Sequence, residues 1–284
     1  MAERKIITIG DWQVTHTDTG RFALDGGAMF GVVPKALWAK TNPSDDLNRI
    51  TMAVRSLVIK GNNRIILVDC GLPLNTDEKF NRIYAVDHSK FSLDRLLKDN
   101  DISPDKVTDV IVTHLHFDHA GALSKLEGNQ RVPTFPNAKI HIQKKHWQHA
   151  LHPTERDQAS FIIETYRFLE GSGLLNLLDG PGEFYPGIHL EIINGHTPHQ
   201  QMVRITDGEK TILYAADLIP TASHIPLPYI MGYDLNPLKT LEEKKAVLPR
   251  AVDEKWTIVF EHDPFHPVSK VAKDDKGFHM AEPN

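Results

Sequence analysis

Four short apolar runs in this chain each stop at side chains able to bind a metal ion, and that recurrence constrains the fold more than any other feature. The run 109–113 leads into His114-Leu115-His116-Phe117-Asp118-His119-Ala120-Gly121. The run 190–194 leads to Gly195-His196-Thr197-Pro198, the run 211–216 ends at Asp217, and the run 257–261 ends at His262-Asp263-Pro264. Apolar runs of this length between turn signals read as buried strands. In open α/β architectures, ligands gather beyond strand ends, where loops converge. Residues two apart on extended backbone face the same way, so His114 and His116 can approach one ion together. Asp118 and His119 fall where Ala-Gly-Ala-Leu turns the chain towards a helix, and they can point to a second position nearby. Five imidazoles and two carboxylates result, a set that can hold two divalent ions with a carboxylate between them.

The rest of the chain reads as further strands at 6–9, 12–16, 139–142 and 202–206, with 52–59 and 64–68 paired as a hairpin through Gly61-Asn62-Asn63. Helical patterns fall at about 91–99, 120–126, 143–150, 155–169 and 240–252, and Pro249 is expected to kink or shorten the last. Strands and helices intersperse without regular βαβ alternation, which favours a mixed α/β sandwich over a doubly wound sheet or a barrel. The whole of 1–284 reads as one domain. Residues 17–48, with many glycines and the apolar Met29, Phe30 and Trp38, read as a long irregular excursion, a flap over an active site or a homodimer interface.

A formal net charge of −5 offers no basic field for nucleic acid. One cysteine, Cys70, excludes an internal disulfide framework and thiolate-rich zinc sites. No apolar run approaches the ~20 residues of a spanning helix, and the N-terminal segment is too short and charged for a signal sequence. The expectation is a soluble, cytoplasmic protein acting on a small molecule, without nucleic-acid or membrane partners. Among sixteen histidines, His141, His146, His149 and His152 are candidates for the rim of a pocket, and His279 for an idle surface position.

His114, His116, Asp118 and His119 complete a His-x-His-x-Asp-His motif. With His196, Asp217 and His262 following in order and Val68-Asp69-Cys70-Gly71 resembling an early Asp-x-Gly strand end, the chain resembles the metallo-β-lactamase superfamily from about Ile50 to His262. That resemblance implies a four-layer αββα sandwich with metals at one edge of the paired sheets. It implies that His114, His116 and His196 hold one metal, that Asp118, His119 and His262 hold the other, and that Asp217 bridges. Asp69 would orient a ligand imidazole. The metals would be two divalent ions, zinc first, with iron, manganese or cobalt as alternatives. A hydroxide between them would attack a carbonyl or phosphoryl centre, and Asp118 would pass a proton to the leaving oxygen.

Within the superfamily, the wording of the motif is most similar to the acyl-homoserine lactonase and organophosphate hydrolase branch, implying a lactone, ester or phosphotriester-like substrate. Two departures stand out. Pro220 occupies the position of the lactonase tyrosine, three residues after the bridging aspartate. Gly195-His196-Thr197-Pro198-His199-Gln200 reads one residue shorter than the family's Gly-His-x-Pro-Gly-His. His224, Tyr229 and Tyr233 are candidate replacement donors, and Met29, Phe30, His224 and Tyr229 are candidate pocket residues. The alternatives are a glyoxalase II-like thioesterase and a mononuclear-iron persulfide dioxygenase-like oxidoreductase.

Overall fold

A computed structural model describes residues 6–281; the charged segment 1–5, on which the signal-sequence expectation rests, lies outside the described residues. Along the chain, β1 (Ile7–Ile9) and β2 (Trp12–Asp25) precede two short helices, α1 (Gly26–Phe30) and α2 (Lys35–Trp38). The hairpin of β3 (Arg49–Gly61) and β4 (Arg64–Val68) follows, then α3 (Glu78–Tyr84), α4 (Leu93–Asp99), β5 (Asp109–Ile111) and the single turn α5 (Phe117–Ala120). A small hairpin of β6 (Ser124–Glu127) and β7 (Gln130–Pro133) leads to β8 (Lys139–Gln143), α6 (Lys144–Leu151) and β9 (Leu175–Leu178). Strands β10 (Gly182–Tyr185), β11 (Ile188–Ile193), β12 (Gln200–Thr206) and β13 (Thr211–Tyr214) come before the long α7 (Pro237–Asp253). The last strands are β14 (Thr257–Val259), β15 (Val268–Asp274) and β16 (Gly277–Met280).

The chain forms two compact units, one of residues up to Arg21 with 54–180 and one of 22–53 with 181 onwards. The first unit is built on a sheet ordered β1-β2-β3-β4-β5-β8-β9. Its hairpin registers Leu57 on Val68 antiparallel, as the sequence indicates, whereas β4, β5, β8 and β9 run parallel. All three residues of β5 are buried, as expected of a central parallel strand covered on both faces. Helix α4 starts at Ser92, whose side chain caps the Arg95 N–H, and buries Leu93, Leu96 and Leu97 at helical spacing. They join Val58, Leu67, Val110, Val112, Ile140 and Tyr166 in one core.

The second unit carries the sheet β10-β11-β12-β13-β14-β15-β16. Its one parallel pair is β13 with β14, where Tyr214 registers on Val259. Helix α7 begins with Asn236 capping Lys239 and Pro237 in its first turn. It packs Val247, Leu248 and Ala251 into a core with Leu213, Trp256, Ile258 and Phe260.

Several elements differ from the sequence expectations. Residues 17–48 are not irregular throughout, because β2 continues to Asp25 and Asp25 then caps α1. The helix expected at 120–126 ends after a tight turn over Gly121–Leu123, and the chain enters β6 at Ser124. Residues 155–169 fold as three short 3₁₀ turns instead of one helix. Pro249 sits inside α7 without ending it. Among the described residues, no helix is long and apolar enough to cross a membrane.

Candidate metal centre

In the first unit, β4 and β5 are parallel neighbours, so the residues leaving their carboxyl ends emerge side by side: Asp69 N–H donates to the Ile111 carbonyl at 3.0 Å. Asp69 has a φ of 55°, a left-handed conformation that aims its carboxylate along the next strand's exit. There it accepts the Thr113 N–H and the Thr113 hydroxyl, both at 2.7 Å, and the His119 Nδ1–H at 3.1 Å. The motif then runs as extended chain through His116 and coils into α5, whose carbonyl at His119 accepts the N–H groups of Cys70 and Gly71. His114 Nε2 and His116 Nδ1 face each other at 3.0 Å, Asp118 Oδ1 lies 3.9 Å from His119 Nε2, and all four side chains are buried.

The second unit repeats the device. Asp217 and His262 follow the carboxyl ends of the parallel pair β13 and β14, and His196 lies in the turn between β11 and β12, at the same end of the sheet. Asp217 Oδ2 stands 3.1 Å from His196 Nε2 and its Oδ1 stands 3.2 Å from His262 Nε2. The other nitrogen of each ring is committed. His196 Nδ1 donates to Asp234 at 2.9 Å, and His262 Nδ1 donates to the Ala53 carbonyl at 2.8 Å. A carbonyl only accepts, so Nδ1 of His262 carries the proton and its Nε2 presents a lone pair. With both rings neutral, two lone pairs meet two carboxylate oxygens of Asp217, acceptor against acceptor, an arrangement that a cation between them relieves. This donor set fits divalent metal, with one carboxylate offering an oxygen to each of two positions.

The surroundings of these donors were not evident from the sequence. Asp234 also accepts the Thr240 hydroxyl at 2.7 Å, and Glu243 accepts the N–H groups of Asn194 and Gly195 at 2.7 and 3.1 Å. A Cβ at Gly195 would collide with Thr240 of α7, so glycine alone lets the His196 turn lie on that helix. His199 has a φ of 55°, the conformation a glycine would supply, so the segment reads as substituted at His199 and Gln200 and not as shortened. In the first unit His146 Nε2 accepts the N–H of Leu115, between two motif histidines, at 2.8 Å. Of the remaining rim candidates, His141 pairs with Asp109 and His149 with Asp157.

The proposed pocket residues come together within the second unit. Phe30 stacks on His224 at 4.6 Å and meets Tyr229 edge-on at 6.1 Å, and His224 Nε2 donates to the Met29 carbonyl at 2.8 Å. Met29, Phe30 and His224 are buried, and Tyr229 is half-exposed. Burial pushes the His224 imidazole down to about 4, so it stays neutral at physiological pH.

The sequence profile described as the Metallo-beta-lactamase superfamily matches residues 50–262, a span that begins in β3 and closes on His262. The chain belongs to the metallo-β-lactamase superfamily. It is 28% identical over 212 residues to an N-acyl homoserine lactonase of Bacillus thuringiensis, covering 70% of this chain and 76% of that protein. Its fold is similar to that of a probable metal-dependent hydrolase from Staphylococcus aureus, with a TM-score of 0.86 and 26% identity over 98% of this chain and 100% of that one. It is also similar to AidC, a dizinc quorum-quenching lactonase, with a TM-score of 0.81 and 22% identity over 99% and 97% of the two chains. The superfamily fold accounts for both sheets with their helices, the α/β sandwich class expected from the sequence.

Proposed function

We propose that this chain is a metal-dependent lactonase that opens a small cyclic ester by hydrolysis. The observation that carries this reading is Asp217, whose two oxygens each face Nε2 of a different imidazole. The similarity to an N-acyl homoserine lactonase over 70% of the chain supports the substrate class. By the superfamily motif, His114, His116 and His196 would hold one ion and Asp118, His119 and His262 the other, with Asp217 shared and Asp69 orienting His119. Two divalent ions, when bound, supply Lewis acidity and lower the pKa of a shared water from 15.7 towards neutrality. Zinc suits the nitrogen-rich donor set, and manganese, iron and cobalt accept the same ligands.

The chain's own groups handle the proton and the substrate. Asp118 takes the proton of the attacking water on its carboxylate and returns it to the ring oxygen as the ester C–O bond breaks, leaving an acid and an alcohol. Pro220 supplies no donor, so the half-exposed Tyr229 is the phenol we assign to the pocket, set on Phe30, His224 and Met29 behind it. The substrate is a small molecule, and the protein is assigned to the cytoplasm.

A panel of N-hexanoyl-L-homoserine lactone, a simple γ-lactone, a thioester and a phosphotriester, assayed with the zinc-loaded protein, tests the reading. Preference for the lactones is expected. Exclusive turnover of the thioester or phosphotriester would overturn the substrate class.

A further inference from the structure

Lys244 lies mid-way along α7 and is fully buried, yet among the described residues it has no carboxylate at ion-pair distance. Its Nζ instead donates to three backbone carbonyls of one turn: Pro226 at 2.7 Å, Tyr229 at 2.9 Å and Leu227 at 3.5 Å. An ammonium has three donors and a neutral amine two, so this set matches the protonated form. Burying an ammonium without an anion is expensive. A methionine of similar length would fill the space without that cost, so packing does not explain the lysine.

The turn itself explains it. Pro226 and Pro228 have no N–H to give a ladder; the Tyr229 N–H donates to the Pro226 carbonyl at 3.0 Å, and the Leu227 and Tyr229 carbonyls need donors from outside the turn. The same stretch supports the candidate pocket. Tyr229 meets Phe30, the Ile230 carbonyl would lie 2.6 Å from any Cβ at Gly31, and Gly232 N–H donates to the Ala28 carbonyl at 2.8 Å. Thus α1, with Met29 and Phe30, is docked on a segment that Lys244 holds from behind. On the same helix Thr240, one turn earlier, holds Asp234, and the adjacent Glu243 holds the N–H groups that lead into the His196 turn.

We propose that Lys244 is a positioning residue for substrate: its Nζ fastens the 226–229 turn and so fixes the Tyr229–Phe30 wall, governing affinity more than bond breaking. The proposal rests on the lactonase reading for its substrate. Burial lowers the Lys244 pKa to about 7, opposed by the charge of Asp234. His224, on which Lys244 acts electrostatically, is already neutral over this range. Opening the turn would return Nζ to water and take up a proton, so the closed turn gains stability as pH rises through 7 towards 10.

The test compares wild type with Lys244→Met, both metal-loaded, on N-hexanoyl-L-homoserine lactone. Loss of one or two buried hydrogen bonds should raise KM about 5- to 10-fold, with kcat changed less than about 2-fold and the metal content unaltered. Amide exchange across 225–232, corrected for its intrinsic pH dependence, should slow from pH 6 to 9 in wild type and be fast and flat in the variant. The wild-type exchange profile stands alone if Lys244→Met does not fold. Unchanged KM with unchanged exchange, or pH-independent protection of 225–232 in wild type, would overturn the proposal. If wild type opens no lactone, the lactonase reading fails, and the exchange measurement still decides whether Lys244 holds the turn.

Discussion

Asp118 lies beside His119 in the first unit and Asp234 behind His196 in the second, and substitution should separate their roles. If Asp118 shuttles a proton, Asp118→Asn lowers kcat by about 10²- to 10⁴-fold while two metals per chain remain bound. Equal loss of metal and turnover would reduce Asp118 to a ligand. Asp234 touches only the Nδ1 side of His196, so Asp234→Asn should weaken metal affinity by about 10- to 100-fold, measured by competition with a chelator, and excess metal should restore turnover. Lys244 gives a pH dependence whose sign follows from its lowered pKa. Folded Lys244 titrates near 7 and the unfolded side chain near 10.4, so between these values the unfolded state binds the extra proton. Its charge therefore opposes folding fully below pH 7, and that penalty is relieved as pH rises towards 10. The melting temperature of wild type relative to Lys244→Met should rise over this interval.

At the scale of elements, α7 bears most of the second unit's organisation, and it does so despite Pro249. A proline inside a helix leaves the carbonyl four residues earlier without its N–H partner and crowds it, at a cost of about 3 kcal/mol. Pro249→Ala should therefore raise stability, by up to that amount, in denaturant unfolding monitored by circular dichroism; a loss of stability would show that the proline is packed to advantage. What the sequence displayed at this scale followed strand physics. Ligands at strand ends were legible because a short apolar run followed by His or Asp is a local signal. Asp234 and Lys244 were not, and His146 was legible only as a rim candidate, since their partners lie between 15 and 38 residues away. The helix expected at 155–169 failed for a related reason: its spacing of apolar residues is helical, but Phe161, Tyr166 and Leu169 reach the core from short 3₁₀ turns.

Across the whole molecule, the two units use one construction. Each runs a parallel strand pair out to an edge of its own sheet and hangs donors there, four in the first unit and three in the second, with buried carboxylates behind Nδ1 of His119 and His196. The lactonase we propose depends on metal, and titration of metal-free protein with zinc while following the opening of N-hexanoyl-L-homoserine lactone tests it most directly. Turnover should rise with metal and saturate at two equivalents per chain, with no activity in the metal-free protein. Ring opening without metal, or full occupancy of both sites with no hydrolysis of any lactone tried, would contradict it.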